Sequence, residues 1–301
     1  MAESAQSPRD LPSAAEPRCW LLRVLRIGAS ACFAGWAWQH LVWSAPYDAI
    51  LWNPDYMGWL ARSLDVSWET YVAERLNDQH ILFAQRIIGL IYLAMAVMCL
   101  TAKRSSRIQQ WFLSGGSGLL LLLVYCLYVN AGSALPILVE FGGQILSPAV
   151  LILALHRGMR DRWTIAAAMV AFTTTFIGHG IYATGLAPTP GHFYGMVTGI
   201  LGLGETGADV FLKTVGVLDF IVCAGILVPR MRLPCLAYAA GWGLLTALAR
   251  PVAGMSLTAA CWEAGQFVHE AVLRAPHVTF PLFLFLIFRS KNHKDATAHT
   301  R

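Results

Sequence analysis

Long apolar runs joined by short polar connections set the pattern of this chain. A helix crossing a bilayer needs about 20 largely apolar residues. Eight segments qualify: 22–45, 82–102, 110–130, 135–156, 163–185, 209–229, 233–251 and 266–288. All eight are expected to be helices, because only helices and closed barrels satisfy the backbone N–H and C=O groups within lipid. The fold class that follows is all-α, a polytopic helical bundle. Residues 1–20 are polar and proline-bearing, cannot bury a core, and are expected to form a disordered cytoplasmic tail. Glu3, Asp10 and Glu16 spoil the basic leader of a signal peptide, and no small-residue cleavage site follows the first apolar run.

The last segment gives the sharpest constraint. Its continuous apolar run, Val278 to Phe288, is too short to cross hydrocarbon at about 1.5 Å per residue. The crossing helix must therefore include Glu270, Arg274 and His277. Together with Glu263 these recur at helical spacing, with Glu270 and Arg274 in the favourable i,i+4 order. In the fourth segment Glu140 and Gln144 lie one turn apart. Arg86, Glu140, Lys213, His179 and Arg250 all fall in the same half of their spans, with Asp219 a little deeper. A charge left in the bilayer centre costs about 2.5–3.5 kcal/mol on the lenient insertion scale, so such groups face the bundle interior or a wet cavity. Glu270, Arg274 and His277 are accordingly expected to point inward with Lys213 and His179, and all ten residues are candidates for one pocket. The competing reading is a set of interfacial salt bridges that fix helix positions, with arginines and lysines snorkelling to the headgroups.

Composition agrees with the pattern: of 301 residues, 56% are hydrophobic and 13% charged, outside the range of a soluble domain. The formal charge of +5 does not indicate nucleic acid, because the basic residues form short clusters between apolar runs. Those clusters (Arg23 and Arg26; Lys103, Arg104 and Arg107; Arg157, Arg160 and Arg162; Arg230 and Arg232; Arg289, Lys291 and Lys294) fall at every second connection. They place both termini in the cytoplasm, 291–301 forming a cytoplasmic tail. The first outward connection, 46–81, carries Trp52, Trp59 and Trp68 among acids, with Trp43 just ahead of it. It reads either as helices lying in the outer interface or as a lid over an outward-facing pocket. The third holds APTPGHFYG, 187–195, expected as a turn in which His192 is an exposed loop histidine. Seven cysteines, Cys19, Cys32, Cys99, Cys126, Cys223, Cys235 and Cys261, show no ligand-like or redox spacing.

Order-preserving echoes divide the chain. One shift aligns Arg86 with Lys213, Gly89 with Gly216, Lys103 with Arg230 and, roughly, Trp111 with Tyr238; Phe33-Ala-Gly35 resembles Phe176-Ile-Gly178. LSPAVLILALHR (146–157) matches TFPLFLFLIFRS (279–290), pairing Pro148 with Pro281 and Gln144 with His277. Two four-helix repeats, 21–158 and 159–290, are expected, in the same membrane orientation because each has an even number of spans.

The segment VGVLDFIVCAGILVPR, with Asp219 shortly after Gly216 and a basic turn behind it, resembles a helix of the DoxX-like family. These are small four-helix membrane proteins, some of them similar to membrane subunits of a thiosulfate:quinone oxidoreductase. The resemblance covers 164–251 best and 23–157 weakly. It implies a redox-associated protein holding a quinone-like molecule near His179, Lys213, Asp219 and the polar stripe of the last span. A cationic or imidazole donor would stabilise charge on a carbonyl oxygen, with Asp219 orienting or relaying a proton. In the first repeat Tyr92 stands where Asp219 stands in the second. Haem is disfavoured, since the position equivalent to His179 is Trp36. Two other classes stay open: a carrier, from the repeat and its interfacial charges, and a scaffold docking a partner on 46–81.

Overall fold

The computed structural model of the chain describes residues 16–255 and 262–298, and every element in them is helical. In order these are α1 (Glu16–Val42), α2 (Asp48–Leu51), α3 (Pro54–Ser63), α4 (Trp68–Ala73), α5 (Arg75–Thr101), α6 (Arg107–Asn130) and α7 (Pro136–Glu140). There follow α8 (Gly142–Arg157), α9 (Arg162–Ala183), α10 (Gly191–Leu201), α11 (Glu205–Gly225), α12 (Arg232–Ala253), α13 (Trp262–Leu273) and α14 (Ala275–Ala298). Each expected apolar segment falls mainly on one helix, or on two separated by a single residue. Among the described residues, five stretches are long and apolar enough to cross a membrane: Asp78–Thr101, Arg107–Asn130, Pro136–Arg157, Arg162–Ala183 and Phe267–Ser290. The chain is an all-helical integral membrane protein.

Several boundaries differ from the sequence reading. Helix α1 already begins at Glu16, inside the expected tail, while residues 1–15 and the side chain of Glu263 lie outside those described. Helix α14 continues to Ala298, because no proline or glycine follows Phe288 to stop it. The expected turn at 187–195 contains the start of α10. Pro190 is its N-cap, where the missing N–H breaks no helical bond.

Packing follows a paired scheme. Helix α1 runs along α5 and α9 along α11, while α6 packs on α8 and α12 on α14. Across the middle, α1 lies against α13 and α14, and α9 against α7 and α8. These crossings are close: a Cβ on Gly35 would collide with the backbone of Leu273, and one on Gly178 with the backbone of Glu140. Small residues at such contacts let helices approach where no hydrophobic force joins them. The partner helices are both interrupted one residue later, at Phe141 and at Arg274. Each also contains a proline, Pro148 or Pro281. That proline lacks the N–H that would bond the carbonyl four residues earlier, that of Gln144 or of His277.

The segment 46–81 folds into α2, α3, α4 and the start of α5; Asn53 and Ser67 side chains cap α3 and α4, and α2 packs on α6. Tyr56 and Tyr125 hydroxyls meet at 3.0 Å, and the rings of Trp52 and Trp68 sit against Tyr71. Trp59 stays exposed.

The Gly178 crossing yields a measurable contrast. Gly178→Val should lower stability by about 1–3 kcal/mol through overpacking. Gly115→Ala, with nothing within 4 Å of the added methyl, should be neutral or slightly stabilising. Thermal unfolding of the purified variants in detergent reads both.

Candidate functional site

The polar residues of the last span converge with α12. Glu270 Oε2 lies 2.8 Å from Arg250 Nε and 3.0 Å from Arg274 Nη1, so one carboxylate oxygen holds two guanidiniums. Arg274 Nη1 also donates to the Glu270 backbone carbonyl at 3.0 Å. It thereby satisfies a carbonyl that the break after Leu273 would otherwise orphan. Arg274 and His277 are 7% and 3% exposed, so both face the bundle. Buried ions are stable only when paired and hydrogen-bonded, and these meet that condition.

Beside this triad, His277 Nε2 lies 3.2 Å from His179 Nε2, and His179 Nδ1 lies 3.5 Å from Glu140 Oε1. Gly178 lets α9 reach the α7 backbone, which is what sets His179 beside Glu140. Arg250 Nη2 is 2.7 Å from His192 Nε2 at the start of α10. A guanidinium can only donate, so this nitrogen is an acceptor and the ring is neutral. Although part of His192 is exposed, desolvation of its ring and the nearby Arg250 and Arg274 charges push its pKa down to about 4.

Two cavities flank the cluster. One, of about 410 Å³, is lined by α9–α12 and by Arg274 and His277. Its walls are mostly apolar (Phe176, Phe193, Met196, Phe211, Leu212, Val215, Trp242), with His179, Asp219, Arg250, Arg274 and His277 as polar points. Leu245, Leu248, Val252, Ile200 and Leu201 belong to the same lining and are exposed on the outside of the bundle, so this cavity opens sideways onto the apolar surface. The other, of about 490 Å³, is lined by Trp36, Gln39, Ala131, Ala134, Glu140, Pro188, His192 and Glu270 among others. Arg250, Arg274 and Phe193 line both and form the partition. Of 46–81 only Pro46 lines either cavity, so that segment does not cover the lateral one; α10 does.

Of the ten candidate residues, Glu140, His179, Arg250, Glu270, Arg274 and His277 come together in this cluster. Asp219 is buried in the wall of the lateral cavity, and its Oδ1 has no hydrogen-bond partner. Gln144 is buried on α8, away from the cluster, accepting from Trp36 Nε1 at 2.7 Å. Lys213 does not share the pocket: it is exposed and pairs with Asp209, one turn back on α11, at 2.7 Å. Arg86 is likewise exposed. For both, the favourable outlet was the outer face of the helix, where a long side chain can snorkel. The link from His192 to Arg250 was not foreseen, since nothing in HFYG signals a partner 58 positions away.

Among α1 and α5–α8 the interior is filled: Tyr92 is buried, and His40 bonds the Trp36 carbonyl at 2.6 Å and the Tyr47 hydroxyl at 3.0 Å. Comparison with family models, curated proteins and solved structures finds no match.

Removing Glu270 should leave two buried guanidiniums unbalanced. Glu270→Gln is expected to cost about 3–5 kcal/mol. Lys213→Met breaks an exposed pair and should cost no more than about 1 kcal/mol. Thermal unfolding in lipid nanodiscs compares the two, and equal losses would contradict the triad's role.

Proposed function

We propose that this chain is a DoxX-like membrane protein of eight spans in two four-helix repeats, and that its second repeat binds a quinone-like molecule drawn from the bilayer. Three matches support the repeat. The Gly35–Leu273 and Gly178–Glu140 crossings correspond under the sequence echoes. So do the interruptions at Phe141 and Arg274, and the bonds Trp36–Gln144 and His179–His277. Gly89 against His40 and Leu41, with Gly216 against Ala183 and Thr184, adds a fourth. The basic connections set both termini in the cytoplasm, so the cavities lie in the outer half.

The lateral cavity carries the functional reading. Its volume of about 410 Å³ suits a small molecule, and its opening lies among exposed leucines, where an apolar solute arrives through lipid and not through water. Two polar atoms support a ligand with oxygen functions. His277 Nδ1 and Asp219 Oδ1 are buried without hydrogen-bond partners, and both residues line this cavity. Unpartnered buried groups cost about 1–3 kcal/mol each, which a ligand hydroxyl donating to either would relieve. A quinone, when bound, would supply reversible two-electron, two-proton chemistry. Arg274 and Arg250 would donate to a reduced oxygen and stabilise its charge, while Asp219 would orient or take a proton.

Titration of the protein in nanodiscs with decylubiquinone tests the reading through tryptophan fluorescence. Saturable quenching is expected, reduced when Trp242→Phe removes the indole in the cavity wall. Arg274→Lys should weaken binding about ten- to a hundredfold, in line with loss of a charged hydrogen bond of about 1.5–3 kcal/mol. Absence of saturable binding, together with a lipid extract of the purified protein free of any redox-active compound, would contradict it.

A further inference from the structure

The two cavities are joined by a line of titratable side chains. Glu140 lines the outer cavity and not the lateral one, whereas His179 and His277 line the lateral cavity and not the outer one. His179 bridges them, with Nδ1 3.5 Å from Glu140 and Nε2 3.2 Å from His277. We infer that Glu140, His179 and His277 form a proton relay between the outer cavity and the lateral cavity. The inference deepens the function proposed above by supplying the protons that a ligand hydroxyl there gives or takes, but the relay exists in the empty protein.

The tautomers follow from the contacts. A carboxylate only accepts, so His179 carries its proton on Nδ1, facing Glu140. Its Nε2 is then the acceptor, and His277 must donate from Nε2. His277 Nδ1 is left as an acceptor: it makes no well-formed hydrogen bond, although the Arg274 carbonyl one turn back is the acceptor it would meet in the other tautomer. A proton entering at His277 Nδ1 from a ligand hydroxyl displaces the Nε2 proton to His179 Nε2, which displaces the Nδ1 proton to Glu140. Three bonds to hydrogen form and three break, and the ligand is left as its conjugate base; the reverse sequence delivers a proton inward. The 3.5 Å step is longer than a hydrogen bond. Such contacts commonly tighten only in the loaded state.

The surrounding charges leave this route open. Arg250 and Arg274 both contact Glu270, and Arg250 also His192; among the described residues neither guanidinium makes a hydrogen bond or ion pair to Glu140, whose ion-pair partner is His179. Tyr182 lines the outer cavity beside Glu140. The first repeat has the same interhelical bond but no relay, because the Trp36 indole is a donor only and the Gln144 amide does not titrate.

Solid-state NMR on 15N-histidine-labelled protein in nanodiscs tests this without any ligand, with His179→Gln and His277→Gln used for assignment. The expected result is an Nδ1–H tautomer for His179 and an Nε2–H tautomer for His277. Exchange of the His277 ring N–H with external D2O should slow at least tenfold in Glu140→Gln and stay unchanged in Lys213→Met. The opposite tautomers in the unaltered protein, or unchanged exchange in Glu140→Gln, would overturn the relay whether or not quinone binds. Failure of quinone binding with these NMR results intact would remove only the ligand.

Discussion

A single carboxylate oxygen on Glu270 ties together the helices around the candidate site. It joins Arg250 at the end of α12 to Arg274 at the break between α13 and α14. Two guanidiniums in an apolar bundle cannot remain apart from a counter-ion, because the desolvation cost of each is several kcal/mol. The helices that carry them must therefore meet at this point. Helix α13 is drawn in far enough for Arg274 to cap it, and α10 is tied to the same knot through His192. What stays unfilled between α11 and α12 is the lateral cavity.

Placement of the histidines depends on two backbone features. Gly178 admits the α7 backbone, and Pro281 marks the turn from which His277 projects. Gly35 and Pro148 likewise accompany the contact of Trp36 with Gln144, yet there the space is occupied by Tyr92, His40 and Tyr47. Under the repeat proposed above, large side chains close one copy and Asp219 and Ala183 leave the other open, without moving a helix.

The sequence read well where chemistry leaves one option. Helices were legible because lipid permits little else, and the shortness of Val278–Phe288 brought Glu270, Arg274 and His277 into the last span. The direction of Lys213 and Arg86 was not legible. In a membrane both the core and the lipid-facing surface are apolar, so the periodicity that tells inside from outside in a soluble helix is lost. An i,i+4 partner such as Asp209 decided the matter for Lys213. Helix α10 was hidden because its glycines and prolines resemble a turn, and its apolar face is revealed only by the cavity it covers. The break at Arg274 was legible in Pro276, which has no N–H to continue α13 and disfavours helix at the residue before it, while Arg274 turns back on Glu270 one turn earlier.

An experimental map of the protein purified in native lipid would test the central claim most directly. The account predicts Glu270 bridging Arg250 and Arg274, with density for a flat, lipid-soluble molecule between α11 and α12 reaching His277 and Asp219. Side chains filling that space, or Arg274 and His277 turned outward to lipid, would contradict it.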